Sequence, residues 1–438
     1  MKDKRKGNIF LLLSEYDKID IEIKGFSRGS IPLEYTCFIE RIEKLKMFYC
    51  SHCQKYYPED THLWRCNCGT PFSYLYSEQL SFPKEKIKVR DNTMWRYWEA
   101  LPGVNKENIT SLGEGMTPLI PALLEGRKIL FKLEFISPTG SFKDRGTSFF
   151  ISKLKDRKVT RVIEDSSGNA GASLAAYCAY SGIKCEIYVP EYTSAGKLLQ
   201  IEMYGAKIKK ISGSREDTAI AAIQAAREHY YASHNWNPYF LQGIKTIAFE
   251  IWEQLLWQVP DNIIVPAGQG SLVLGCHLGF NELKAAGEIK KVPRIFAVQA
   301  ANCAPLYQAF YHGLSDPVKI EKKETMAEGI SSSFPIRGRE VLSAIRESNG
   351  EIIAVEEKEI MNSLPKVIKL GFYIEPTSAV ATAGLVQLFS KNTIKETEST
   401  IVILTGSGLK ATDKIGKLTQ AQTGNKDDSL FDNTSLKM

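Results

Sequence analysis

Long apolar runs are absent from this chain of 438 residues. No segment approaches the roughly 20 apolar residues that a membrane-spanning helix needs. The apolar stretch at 8–13 is too short for a secretory signal peptide and lacks a small-residue cleavage site. We therefore expect a cytoplasmic protein with no membrane partner.

A large excess of charge of either sign is also missing. The chain has 56 basic and 50 acidic residues, a formal net charge of +6. These charges are dispersed along the chain, whereas nucleic-acid-binding proteins concentrate basic residues on one surface. We expect no nucleic-acid partner, and a small anionic ligand agrees equally well with this charge.

A disulfide framework is the third absence. The nine cysteines are an odd number, and five of them are scattered singly, which favours a reducing compartment. Two close pairs stand out at Cys50, Cys53, Cys66 and Cys68. Four thiolates at this spacing predict one tetrahedral structural zinc in a zinc-ribbon-like segment. A ribbon that has lost its metal and a disulfide pair are the alternatives.

What the chain does contain, from about residue 129 onward, is an alternation of short β-branched runs with helix-forming segments. The runs lie at 129–135, 161–164, 184–189, 207–211, 262–265, 294–298, 351–355 and 400–404. This rhythm predicts an α/β protein with parallel sheets covered on both faces. Ligands bind such sheets at the carboxyl ends of the strands.

The segment Ser137–Gly146 places a lysine where an amine could act chemically. Small, turn-forming residues precede Lys143 and a helical pattern follows it, so we expect this lysine in the first turn of a helix, with Ser141 and Asp144 as a capping box. The helix dipole and partial burial would both lower the lysine's pKa. An unprotonated lysine can form a Schiff base.

Three glycine-containing loops follow predicted strands, at 166–171, 265–275 and 405–410. The first two open helices, whose free amides can bind a carboxylate or a phosphate. Val273 stands where a dinucleotide fingerprint needs its third glycine, so the second loop suits a single phosphate. Each loop could alone be an ordinary turn. Together with Lys143, Asn169 and Thr405 they describe a site for pyridoxal phosphate.

These motifs resemble the threonine synthase branch of the fold type II, tryptophan synthase β-like, pyridoxal-phosphate enzymes. The matching segments are 111–118, 138–146, 166–169, 237–238 with 243–246, 375–379 and 405–410. The resemblance implies two domains that contain parallel sheets. The expected parts are an N-terminal extension (1–45), a zinc-ribbon-like segment (46–80), a large cofactor domain (81–145 and 236–415), a small domain (146–235) and a polar tail (416–438).

The resemblance also implies roles for single residues. Lys143 would be the catalytic residue and carry the Schiff base, with Phe142 beside the cofactor ring, Asn169 at its hydroxyl and Thr405 at its nitrogen. The cofactor phosphate would be held by Gly268, Gln269, Gly270, Ser271 and Leu272. The substrate would be held by Thr117, Ser166, Ser167 and Gly168.

The activity implied is conversion of O-phosphohomoserine into threonine and phosphate by γ-elimination and β-addition of water, by a lyase that is expected to be a homodimer. Tyr239 and Phe240 stand where some family members carry a basic residue able to hold the substrate phosphate. Two alternatives stay open. One is β-replacement or β-elimination on O-phosphoserine, serine or threonine, and the other is a non-catalytic regulatory protein on the same scaffold.

Overall fold

The computed structural model of the chain describes residues 46–76 and 79–416. The predicted N-terminal extension and the predicted tail from residue 417 onward lie outside the described residues. The strands are β1 (Lys46–Tyr49), β2 (Tyr56–Pro58), β3 (Ser73–Tyr76), β4 (Leu119–Leu124), β5 (Arg127–Lys132), β6 (Arg161–Glu164), β7 (Lys184–Pro190), β8 (Lys207–Ile211), β9 (Tyr230–Tyr231), β10 (Asn262–Pro266), β11 (Arg294–Ala300), β12 (Ile352–Val355) and β13 (Thr400–Ile403).

The helices vary in length from one to four turns. They are α1 (Lys84–Lys88), α2 (Lys143–Asp156), α3 (Asn169–Ser181), α4 (Ala195–Met203), α5 (Arg215–Ala225), α6 (Pro238–Ile244), α7 (Thr246–Gln254), α8 (Ser271–Ala285), α9 (Pro305–Tyr311), α10 (Gly338–Glu347), α11 (Glu357–Lys369) and α12 (Pro376–Ser390). In the described part of the chain, no helix is both long enough and apolar enough to cross a membrane.

The strands form three sheets. A small antiparallel sheet has the order β2-β1-β3, and the segments that connect its strands contain the four clustered cysteines. A four-stranded parallel sheet has the order β8-β7-β6-β9. The largest sheet has the order β12-β11-β10-β13-β5-β4, parallel except for the edge strand β4. The predicted α/β class is confirmed.

Each of the eight predicted strand segments overlaps an observed strand, for a simple physical reason. Strands in the middle of a parallel sheet are covered on both faces and therefore consist of continuous apolar runs. All five residues of β10, for example, are buried. The antiparallel edge strand β4 was not predicted: its residues are apolar as well, but Pro121 is typical of an edge strand and only Leu124 of its six residues is buried.

The helix that follows the lysine segment begins differently from the prediction. Lys143 is its first residue and Phe142 its N-cap, without a side-chain capping bond, so the predicted Ser141–Asp144 capping box is wrong. Asp144 instead accepts hydrogen bonds from the backbone N–H of Thr139 at 2.7 Å and from its hydroxyl at 2.6 Å. The carboxylate thereby fixes the turn before the helix rather than the helix end itself.

The cysteine-bearing sheet packs against the rest of the chain. Phe48 and Phe72 of this segment share one apolar cluster with Val162 and Ile187 of the four-stranded sheet. Trp64 makes edge-to-face contacts with Tyr231 and Trp236, with ring centroids 5.0 and 4.9 Å away. The segment thus supports the chain immediately after β9.

Candidate active site

A cavity of about 1390 Å³ opens at the carboxyl ends of β6, β10 and β13. The three glycine-containing loops predicted to bind ligand line this cavity, together with the start of α2. Twelve predicted site residues line it, namely Phe142, Lys143, Ser166, Ser167, Gly168, Asn169, Gly268, Gln269, Gly270, Ser271, Leu272 and Thr405. Segments distant in the sequence therefore meet at one place.

Lys143 provides an amine that no protein group in the described ranges holds. Its Nζ lies 4.6 Å from the ring centroid of Phe142 and 5.5 Å from that of Phe240. Burial lowers the pKa of Lys143 to about 8, although the nearby carboxyl groups of Glu164 and Glu375 oppose the shift. The unprotonated, nucleophilic form of the amine is therefore far more populated near neutral pH than in an ordinary lysine, although the protonated form still predominates.

The glycine loop before α8 is shaped for close approach of a ligand. Gly270 has φ of +86°, and a Cβ there would lie 2.2 Å from Cγ2 of Val341. A Cβ on Gly268 would lie 2.7 Å from Cα of Ile330. No acidic residue occupies the first turn of this 15-residue helix, whose free N–H groups favour an anion. Side chains larger than hydrogen would close this cradle.

The side chain of Gln269 faces the loop opposite. Its amide donates to the hydroxyl of Ser332 at 2.9 Å, and its carbonyl oxygen accepts from the N–H of Ile336 at 2.9 Å. The side chain of Gln269 therefore anchors the segment 332–336, so that only its backbone is left for the predicted phosphate contact.

A buried carboxyl group connects two predicted cofactor residues. The amide of Asn169 donates to both carboxyl oxygens of Glu375, at 3.2 and 3.0 Å, and the hydroxyl of Thr405 lies 3.4 Å from Oε1. The same hydroxyl lies 3.0 Å from that of Ser378. Burial raises the pKa of Glu375 above its ordinary value. Its position just before Pro376 marks a helix start, and no role was predicted for it.

Thr117 is a correction to the predicted substrate residues, because the structure does not bring it to the cavity. Its hydroxyl is buried and donates to Glu134 at 2.6 Å. Glu134 and Glu250 in turn form ion pairs of 2.7 and 2.8 Å with the fully buried Arg145. A buried guanidinium needs such partners, and the hydroxyl of Thr117 helps to satisfy their remaining oxygen lone pairs.

Two further groups at the cavity were missed by sequence reasoning. His234 lines the cavity and its Nδ1 lies 3.2 Å from Oε1 of Glu164. Lys410 also lines it, and its Nζ is buried without a hydrogen-bond partner. His234 stands three residues before the Asn237–Pro238 motif, and this proximity is the feature of the sequence that points to it.

The four cysteines converge as predicted. Their Sγ atoms all lie within 4.8 Å of one another. Cys50 and Cys68 are 3.4 Å apart, and Cys53 and Cys66 are 3.3 Å apart. Four sulfur atoms at this separation fit a single tetrahedral metal ion, since thiolates bind zinc at about 2.3 Å.

The donor set at the cavity fits pyridoxal phosphate: an unpartnered, poorly solvated lysine, an anion cradle at a helix start and a hydroxyl at a strand end. A model of the family described as pyridoxal-phosphate dependent enzyme matches residues 110–406. The chain belongs to this family. Its membership accounts for the meeting of these three features at the carboxyl ends of parallel strands.

Relatives within the family indicate the branch to which the chain belongs. A threonine synthase from Methanocaldococcus jannaschii is 37% identical over 375 residues, which cover 83% of this chain and 93% of that protein. One from Methanosarcina acetivorans is 34% identical over 371 residues, 82% of this chain and 91% of that protein. This member of the pyridoxal-phosphate family is therefore a lyase of the threonine synthase branch.

Solved structures agree with the fold. Serine racemase from Dictyostelium discoideum has a TM-score of 0.57 at 27% identity, covering 67% of this chain and 92% of its own. Threonine deaminase isoform 2 from Solanum lycopersicum has a TM-score of 0.62 at 20% identity, covering 78% and 94%. At that identity the second match supports the fold alone.

Proposed function

We propose that the protein is a threonine synthase that converts O-phosphohomoserine and water into threonine and phosphate. The observation that carries this proposal is the amine of Lys143, with its lowered pKa, facing an anion cradle in one cavity. The choice of reaction is supported by the threonine synthases that match more than four fifths of the chain.

We assign the cofactor contacts by position around the cavity. The backbone of Gly268–Leu272 would hold the phosphate of pyridoxal phosphate, with Phe142 and Lys143 at the reactive end and Asn169 and Thr405 along the ring edge. The bound cofactor supplies an electron-withdrawing ring that accepts the electrons left when an α-proton is removed. The neutral hydroxyl of Thr405 as partner of the ring nitrogen moderates that withdrawal.

Lys143 would move the α-proton. Its amine lies beside Phe142 and Phe240 in a poorly solvated position, and because burial lowers its pKa to about 8, its unprotonated form is available to accept the proton. The loop Ser166–Gly168 precedes the 13-residue helix α3, which supports the assignment that its amides and hydroxyls would bind the substrate carboxylate. Binding there would orient the α-carbon toward the lysine.

One observation favours the alternative of β-replacement or β-elimination on a smaller amino acid such as O-phosphoserine or serine. Tyr239 and Phe240 are both buried, and the hydroxyl of Tyr239 donates to Glu59 at 2.8 Å. Neither offers a positive charge to a distal phosphate. The phosphorylated substrate therefore needs other partners in the cavity.

We also propose a structural zinc at Cys50, Cys53, Cys66 and Cys68, since four sulfur ligands leave no open position for catalysis. The parts of the chain are proposed to be those expected from its sequence, with the four-stranded sheet inside the small domain and the six-stranded sheet inside the large one. A homodimer in the cytoplasm is part of the same proposal.

A substrate comparison tests the proposed function. The purified yellow protein is incubated with O-phosphohomoserine, O-phosphoserine, serine and threonine, and phosphate, ammonia and amino-acid products are quantified. We expect phosphate and threonine in equal amounts from O-phosphohomoserine, and none from Lys143→Ala. Phosphate released from O-phosphoserine but not from O-phosphohomoserine would establish the alternative.

A further inference from the structure

His234 and Glu164 form a hydrogen-bonded pair beside Lys143. The parallel pairing of β9 with β6 brings them together, because Ile163 is in register with Tyr231 and the N–H of Ala232 donates to the carbonyl of Ile163 at 2.7 Å. The next residue of β6, Glu164, then accepts from the backbone N–H of His234 at 3.2 Å. The same carboxyl group lies 3.2 Å from Nδ1 of the imidazole.

Only the imidazole of the pair reaches the cavity wall, and the carboxyl group lies behind it. Glu164 is buried and does not line the cavity, whereas His234 does. The imidazole and the Lys143 amine both flank the ring of Phe240, with centroid distances of 5.6 and 5.5 Å. Since Nδ1 faces Glu164, Nε2 is the ring nitrogen available to a substrate.

Charged side chains on two neighbouring helices lie near the pair. Lys143 on α2 and Arg215 on α5 face His234, and Arg215 binds Asp165 at 2.8 Å. Burial, together with these two cations, lowers the pKa of His234 well below its ordinary value. Burial, together with Asp165, raises the pKa of Glu164 well above its ordinary value. Both directions favour a neutral imidazole beside a protonated carboxyl group.

We propose that His234 is a second acid–base residue of the active site, positioned by Glu164 and serving the far end of the substrate while Lys143 serves the α-carbon. Proton transfer within the His234–Glu164 pair requires no additional reactant. As the γ-carbon–oxygen bond breaks, Nε2–H donates its proton to the leaving phosphate oxygen and the Glu164 proton moves to Nδ1. When water adds at the β-carbon, its proton goes to Nε2 and the Nδ1 proton returns to Glu164.

This inference rests on the proposed function for the identity of the leaving group, so the first test avoids turnover. The holoenzyme is labelled with ¹⁵N-histidine, and His234→Asn identifies the His234 signals among the six histidines. We expect a neutral Nε2–H imidazole that does not titrate between about pH 6 and 9. An imidazole that titrates with an ordinary pKa, or one protonated on Nδ1 alone, would overturn the pair.

The second test separates the two ends of the substrate. In D₂O, NMR follows exchange of the α-proton of O-phosphohomoserine while phosphate release is assayed in the same tube. In His234→Asn and His234→Gln, we expect α-exchange within about threefold of wild type and phosphate release lower by about a hundredfold or more. An equal loss of both rates, or unimpaired release, would contradict the proposal.

Glu164→Gln tests the positioning residue, since the amide can still orient the ring but cannot carry the proton. We expect about a tenfold loss of phosphate release and loss of the fall in rate at high pH, which in wild type marks deprotonation of the pair. His277→Asn is the matched control, because His277 makes a similar 3.2 Å pair with Glu347 away from the cavity, and its rates should equal those of wild type. A wild type that exchanges the α-proton but releases no phosphate would overturn the proposed function, while the labelling result still decides the pair.

Discussion

The amide of Asn169 donates to both carboxyl oxygens of Glu375, residues that are 206 positions apart in the chain. Because the same carboxyl group lies 3.4 Å from the hydroxyl of Thr405, it joins the residue proposed for the cofactor's ring hydroxyl to the one proposed for its ring nitrogen. Glu375 therefore contacts the side chains of both residues that are proposed to bind the cofactor ring.

Replacing Glu375 with alanine should release both contacts. We expect the dissociation constant of pyridoxal phosphate to rise about tenfold or more, since a hydrogen bond to a charged group contributes about 1.5–3 kcal/mol. Absorbance titration of apoprotein with cofactor measures this. Glu328→Ala is the control, because Glu328 also lines the cavity but pairs at 2.7 Å with Lys414. Equal affinities in the two variants would refute the orienting role.

Gly270→Ala should close the anion cradle. The left-handed backbone strains any larger residue, and the added Cβ would collide with Val341. Gly287→Ala is matched, since φ is +80° there but nothing lies within 4 Å of the added atom. We expect thermal unfolding to show a loss of about 1 kcal/mol for Gly287→Ala and a larger loss for Gly270→Ala. Cofactor affinity should fall for Gly270→Ala alone, and unchanged affinity there would contradict the assigned cradle.

Cys68→Ser should remove zinc from the cysteine cluster without opening a hole in the core, because Cys68 is exposed. His52→Ala is the control, since this exposed histidine lies between two of the cysteines but outside the cluster. Elemental analysis should give about one zinc per chain in wild type and in His52→Ala, and much less in Cys68→Ser, with a lower unfolding temperature. Wild-type protein purified without any metal would disprove the zinc site.

The stability of the chain should depend on Asp144 in the mildly acidic range. Burial raises the pKa of this carboxyl group from 3.8 to about 6. The stability that it contributes is complete below its unfolded pKa and is lost as the pH rises through about 6. Asp144→Asn cannot ionise, so the stability difference between wild type and variant should move against wild type by about 3 kcal/mol between about pH 4 and 6. Denaturant unfolding at several pH values measures this, and a constant difference would exclude the raised pKa.

The sequence was sufficient for eight of the strands in the two larger sheets, most of which are buried apolar runs, and for the loops that follow three of them, but it did not predict β1 to β4 or β9. It was insufficient wherever a side chain's partner is distant in the chain. Thr117 belongs to the buried charges around Arg145 rather than to the cavity. The pairing of β9 with β6 joins His234 to Glu164, and a strand of two residues leaves no recognisable pattern in the sequence.

The proposed function requires that Lys143 hold the cofactor covalently. Lys410, the second lysine with a buried amine on the cavity wall, makes the test selective. Borohydride reduction of the yellow protein, followed by proteolysis and mass spectrometry, should find the phosphopyridoxyl group on the peptide containing Lys143 and on no other. A label on Lys410, or an unlabelled protein that nevertheless binds the cofactor, would contradict the role of Lys143.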